Sequence, residues 1–218
     1  MEIALENVWF TYDGVNYVIQ DASITFKSQG LYMIVGPNGS GKTTLLKIVA
    51  LLHKPSKGRV LVNGVSYWDL SSSSRDGIRR SIVYVHDKPI LVRGSLEYNV
   101  RLGLELRGEK VDNSYLEELL ERYKLSSIRK VNVRNLSAGQ KRLVSILRAL
   151  TLKPEALILD EPFNHLDREK AGMLVEDLSK LSKERMVVVA THYMTRELWD
   201  IAKEVHEIIA GNVKRLKP

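Results

Sequence analysis

An α/β domain with a mostly parallel core sheet is the fold this chain predicts, on three observations. Strand-like and helix-like segments alternate along most of its 218 residues. Ala156-Leu157-Ile158-Leu159 is continuous and apolar, as a strand covered on both faces would be. A glycine-rich loop, Gly36-Pro37-Asn38-Gly39-Ser40-Gly41-Lys42-Thr43, stands between an apolar run over 31–35 and a segment, 44–52, whose apolar spacing suits a helix.

The elements follow in order. Residues 3–10 alternate as a strand does, and Tyr12-Asp13-Gly14 signals a turn before a second strand over 18–26. After the glycine-rich loop and its helix, Lys54-Pro55-Ser56-Lys57-Gly58 breaks the pattern, and 59–64 reads as a short strand closed by Asn63-Gly64. The polar run 71–74 leads into a helix, since Ile78 and Ile82 resume the apolar spacing, and 81–85 is a further core strand. Strand signals thin over 87–135, where Ser114-Tyr115-Leu116-Glu117 has the capping-box arrangement ahead of Leu119, Leu120 and Tyr123. Ser137 is a good N-cap for a helix to about 150, closed by Pro154. Asp167 opens a helix to about 181, 186–190 is a valine-rich strand, Thr195 caps a short helix, and 205–210 with 213–216 make a hairpin around Gly211-Asn212. One domain, 1–218, is expected: a nucleotide-binding core of 1–86 and 151–218, with 87–150 a helical lobe set between two strands of the main sheet.

Bulk properties exclude several classes. With 44% hydrophobic and 27% charged residues the composition is that of a globular protein. The net charge of +7 comes from Lys and Arg spread along the chain, so no nucleic-acid partner is expected. The absence of cysteine excludes disulfides and thiolate metal sites. The N-terminus lacks the regions of a signal peptide, and no apolar run approaches the roughly 20 residues a membrane span needs. A soluble, cytoplasmic chain is the expectation, and any membrane role needs another chain to do the spanning.

The chemistry is concentrated in two places. Glycines let the loop curl so that successive N–H groups point inward at a helix N-terminus, an arrangement that holds phosphates. Lys42 adds a mobile charge for β- and γ-phosphates, and the Thr43 hydroxyl is placed to ligate Mg²⁺. A nucleoside triphosphate is the ligand this predicts. At the end of the apolar strand, Asp160 would hold the metal and Glu161, one residue on, could act as general base on an attacking water.

Further motifs narrow the class. Leu136-Ser137-Ala138-Gly139-Gln140, the Asp160-Glu161-Pro162 strand end, Leu166-Asp167, and His192 after the valine-rich strand resemble, in order and spacing, the ATP-binding subunits of ABC transporters. The resemblance covers essentially the whole chain, and no Asn-Lys-x-Asp guanine reader competes with it. It implies the P-loop NTPase fold of ABC-type ATPases, with an antiparallel β lobe and an inserted α-helical lobe carrying the signature. It implies ATP and Mg²⁺ as ligands. Tyr12 would stack on the adenine, Gly36 to Thr44 would cradle the phosphates, and Lys42, Glu161 and His192 would serve hydrolysis. Ser137, Gly139 and Gln140 would meet the γ-phosphate of the nucleotide held by a partner, either a second copy or a homologous ATPase subunit. Asp167 would lie between the two sites. Transmembrane permease subunits complete the implied assembly, at the cytoplasmic face of the membrane. A soluble ABC-type ATPase outside transport, or a module that hydrolyses weakly, stays open as an alternative.

The chain departs from the family pattern in three places. Ala138 replaces the usual glycine, and Phe163-Asn164-His165 replaces small polar residues. Asp87 stands where the family has a glutamine that touches Mg²⁺; it could still ligate the metal, but it adds a third carboxylate beside Asp160 and Glu161. Nearby Ile90, Leu91, Val92 and Tyr98 would suit a groove receiving a helix of the permease. The cargo stays open: Lys88-Pro89-Ile90-Leu91 resembles importers of tungstate-type oxyanions, whereas Leu136 to Gln140 resembles haem exporters.

Overall fold

Strand and helix alternate as expected in the computed structural model, which describes residues 1–192 and 195–217. In order the elements are β1 (Ile3–Thr11), β2 (Tyr17–Phe26), β3 (Gly30–Val35), α1 (Lys42–Val49), β4 (Lys57–Val62), β5 (Val65–Ser66), α2 (Ser72–Arg80), β6 (Ile82–Val85), α3 (Leu96–Arg107) and α4 (Asn113–Arg122). There follow α5 (Ala138–Thr151), β7 (Ala156–Asp160), α6 (Arg168–Ser182), β8 (Met186–Thr191), α7 (Arg196–Ile201), β9 (Glu204–Ile209) and β10 (Asn212–Lys217).

The strands order as β5-β4-β1-β2-β10-β9-β3-β8-β7-β6. From β9 to β6 every pairing is parallel. β1, β2, β4 and β5 pair antiparallel, and β10 joins the two halves by a single parallel pair, Asn212 with Gln20. The period of two along a strand sorts the core onto two faces. Leu31, Met33, Val35, Leu157, Leu159, Val187 and Val189 pack with residues of α3 to α6. Tyr32, Ile34, Ala156, Ile158, Val188 and Ala190 pack with α1 and the antiparallel strands. Asp160 continues the Ala156–Ile158 series and so falls on the α1 side, where the glycine-rich loop ends. The strands with no polar residue before their ends are those buried on both faces.

Three local expectations shift. The helix after Lys110 is capped by Asp112, not by Ser114, and starts at Asn113: the Asp112 carboxylate accepts from the Tyr115 N–H at 3.0 Å and also meets Lys153 Nζ at 3.1 Å. A carboxylate gains more than a serine hydroxyl from the positive end of a helix. The terminal hairpin turns on Ala210-Gly211, both at positive φ (47° and 81°), and Asn212 is already in β10. Two residues at φ > 0 give the turn whose twist matches the flanking strands. α1 begins at Lys42, inside the loop motif rather than after it. Among the described residues no helix is long and apolar enough to cross a membrane.

Candidate active site

Because β3, β7 and β8 run parallel, their C-terminal ends share one edge, and the loops leaving them meet there. The glycine-rich loop needs its first glycine on two counts. Gly36 has φ 151°, and a Cβ there would lie 2.2 Å from the Ile208 carbonyl oxygen. With that approach allowed, the backbone curls into α1, and Lys42 is almost wholly buried as its first residue. Lys42 Nζ donates to the carbonyls of Gly36 (2.9 Å) and Pro37 (3.1 Å), so the ammonium folds back over its own loop.

Asp160 is fully buried. Its Oδ2 accepts from Thr43 Oγ1 at 2.7 Å and from Tyr84 Oη at 3.0 Å, while Oδ1 is buried with no hydrogen-bond partner among the described residues. Burial pushes its carboxyl above the usual range; the two hydroxyls oppose this, and Asp87 and Glu161 add to it. An orphaned carboxylate oxygen beside a threonine hydroxyl is a donor set that suits Mg²⁺, which takes one or two carboxylates and keeps several waters. Among the described residues no three His, Asp or Glu side chains converge as a metal-holding group.

Glu161 turns off the strand at φ 48°, an unusual conformation for a residue with a side chain, held by its N–H on the Ala190 carbonyl at 2.8 Å. The turn sets Oε2 2.8 Å from His192 Nδ1 and Oε1 3.6 Å from Lys42 Nζ. A carboxylate held between a lysine and a histidine is oriented and ready to accept a proton from water.

Asn38, Gly39, Gly41, Lys42, Thr43, Thr44, Asp87, Glu161, Asn164 and His192 line one cavity of about 360 Å³ with Val18. Gly36, Pro37 and Ser40 shape its loop without lining it. Asp160 sits beneath, through Thr43. Tyr12 is 61% exposed beside the loop, its hydroxyl 3.1 Å from Thr44 Oγ1 and its ring edge-on to Phe10 and His53. Ser137, Gly139 and Gln140 lie outside this lining. Ser137 is exposed, and it forms a capping box with Gln140: Gln140 N donates to Ser137 Oγ at 3.2 Å, and Ser137 N to Gln140 Oε1 at 2.8 Å. Asp167 caps α6, donated to by the Lys170 N–H at 2.9 Å.

Three residues here escaped the sequence. Arg142 is buried on α5 and donates to the His86 carbonyl (2.7 Å) and the Asp87 carbonyl, fixing the loop after β6. Its signal was legible as a charge on the apolar stripe of Ile146 and Ala149. Tyr84 pairs with Asp160, and Asn164 joins the cavity wall; no pattern marked either. Asp87 is itself held close, its Oδ1 accepting from the Lys88 N–H at 2.8 Å and contacting His86 Nδ1. Of the expected groove, Ile90, Val92 and Tyr98 are exposed, while Leu91 packs against the core.

Comparison with known proteins identifies the family. Residues 19–164 match the family model described as ABC transporter. The energy-coupling factor transporter ATP-binding protein EcfA1 of Thermotoga maritima is 33% identical over 197 residues, covering 88% of this chain and 73% of that one. The sulfate/thiosulfate import ATP-binding protein CysA of Synechococcus elongatus is 33% identical over 199 residues, 89% of this chain and 55% of that one. Among solved structures, the ATP-binding cassette MJ0796, dimeric in a post-hydrolysis state with ADP and Pi, superposes with a TM-score of 0.85 at 27% identity, covering 99% of both chains. With the family matched over more than half its length, the chain belongs to the ABC transporters, as one of their ATP-binding, ATP-hydrolysing subunits.

Proposed function

We propose that this chain pairs head to tail with a second copy, or with a homologous subunit, to enclose two ATP molecules and drive a permease from the cytoplasmic face of a membrane. One observation carries this: Lys42, Thr43, Glu161 and His192 gather at one cavity, while the exposed Ser137 at the N-terminus of α5 lies outside it. A capped helix end with a free face is an anion site in want of a ligand, and a twin's γ-phosphate supplies one. The dimeric state of the 27%-identical cassette supports the same arrangement.

In that assembly Gly36 to Thr44 hold the phosphates, with Lys42 exchanging its carbonyl partners for phosphate oxygens. Tyr12 lends a ring face to the adenine. Thr43 and Asp160 would hold Mg²⁺, and Asp87 lines the cavity as a third oxygen donor. Mg²⁺, when bound, offsets charge on the terminal phosphates. Glu161 takes the proton of the attacking water, and His192 orients Glu161. Ser137, Gly139 and Gln140 complete the partner's site. Residues 87–150 act as the lobe that presents the signature, and Ile90, Val92 and Tyr98 face the permease.

The test is the Glu161→Gln chain, loaded with MgATP and measured by light scattering. A dimer that needs ATP and is lost in Ser137→Phe is expected. A chain that stays monomeric at high concentration and with its permease supplied overturns the pairing.

A further inference from the structure

Among the described residues, one oxygen of Asp160 takes both of the hydrogen bonds that reach this carboxylate. Oδ2 accepts from Thr43 at 2.7 Å and from Tyr84 at 3.0 Å, and Oδ1, equally buried, has no partner there. The two donors differ in kind. Thr43 belongs to the phosphate loop, and its oxygen is itself a candidate metal ligand. Tyr84 belongs to the sheet: β6 pairs with β7 so that Tyr84 stands opposite Ile158, and Asp160 is two residues further on the same face. The tyrosine ring is held by the core on the α1 side and lies edge-on to His86 at 5.8 Å. Its hydroxyl therefore stays put whatever Thr43 does.

We propose that Tyr84 is the positioning residue for Asp160: its hydroxyl fixes Oδ2 so that Oδ1 remains available to a divalent cation, beside a cavity to which Asp87 adds a further carboxylate. This rests on Asp160 being the metal carboxylate, as proposed above. A tyrosine hydroxyl adds no charge of its own, so it can hold a carboxylate between two others without bringing in a positive group that would repel the cation. Thr43 alone cannot do the same, because a single donor on a rotatable side chain leaves the carboxylate plane free to turn.

The experiment compares the wild-type chain with Tyr84→Phe, which keeps the ring and removes the hydroxyl. Binding of a non-hydrolysable ATP analogue is titrated calorimetrically without metal and again with Mg²⁺. Metal-free affinity is expected to change less than about two-fold, while the gain in affinity that Mg²⁺ confers falls about ten-fold, the size of one hydrogen bond to a charged group. Thermal melting is expected to move little. If Tyr84→Phe keeps the full Mg²⁺ gain, or loses metal-free and Mg²⁺-bound affinity alike, the residue only packs and the proposal fails. A wild-type chain that gains nothing from Mg²⁺ removes the metal role of Asp160 itself, and the positioning role with it.

Discussion

Gly139, the second residue of α5, stands directly against His165: a Cβ built on the glycine would lie 2.4 Å from the His165 carbonyl oxygen. His165 is itself held at φ 66°, so the 161–167 loop has little freedom to retreat. The glycine therefore has a steric reason to be there, beside the phosphate contact proposed for it. Gly139→Ala should displace the loop and, with it, Asn164 at the cavity wall. We expect ATPase activity to fall at least ten-fold, with a loss of about 1–3 kcal/mol of stability from overpacking. Ala138→Gly, one residue away and exposed, should cost no more than about 1 kcal/mol and keep most activity. Phosphate release and urea unfolding on both variants check this.

Arg142 links the signature helix to the loop that carries Asp87. Its guanidinium is 1% exposed and donates to two main-chain carbonyls, those of His86 and Asp87. Burial pushes its pKa down, while Asp87, Asp160 and Glu161 nearby hold it up. Arg142→Met leaves those carbonyls without their donors, at about 1–3 kcal/mol for each that stays unsatisfied. Arg142→Lys should recover less than half of the loss, since an ammonium on a flexible stem cannot reproduce the planar fork. The urea midpoint should drop in both with the slope unchanged, and ATPase activity should fall in the same order. Equal stability in all three forms would show that the fork carries no weight.

What was legible beforehand follows from how each feature is encoded. Strands buried on both faces, such as β7 and β8, announce themselves as apolar runs, and α5 and α6 open on Ser137 and Asp167 as their caps predict. The phosphate loop is a local motif, so its residues could be named one by one. Tyr84 could not, because it acts on a residue 76 positions away through sheet pairing that no local pattern records; Arg142 showed only as a charge on an apolar stripe, because its partners lie 55 and 56 positions away. The α4 boundary shifts for a related reason: Asp112 gains a partner, Lys153, from beyond the next helix. The hairpin turn moved by one residue because Ala210 accepts a positive φ that composition alone would assign to Asn212.

Asp87 brings a third carboxylate to the cavity that holds Glu161, above Asp160. Its charge is among those pushing the Asp160 carboxyl up, after burial. Such a field opposes a water acquiring negative charge. Asp87→Gln removes the charge and retains an oxygen, so hydrolysis should quicken by roughly five-fold, equivalent to about 1 kcal/mol off the barrier. Steady-state phosphate release at saturating MgATP measures it. An unchanged or slower rate would show that the charge of Asp87 does not hold hydrolysis back.

His206 gives the fold an acid dependence of definite sign. It is buried on β9 and its pKa is lowered from 6.5, by burial first; its hydrogen bond to Glu204 (3.1 Å) and that residue's charge oppose the shift, and Arg215 adds to it. The folded state thus prefers the neutral ring, and the unfolded chain takes up the proton more readily. The stability this contributes is complete above pH 6.5 and is lost as the pH falls through the lower folded value. His53, also lowered chiefly by burial, acts in the same direction. The carboxyls held below their ordinary values, among them Glu97, Asp112 and Asp167, begin to matter only below the 3.8–4.5 range and leave this window clear. His206 and His53 should therefore draw urea midpoints down between about pH 7.5 and 5, against the opposite pull of Asp160, whose raised carboxyl favours the folded state as protons are taken up. His206→Gln should flatten that decline without removing it, since His53 remains; a slope as steep as wild type would place the acid sensitivity elsewhere.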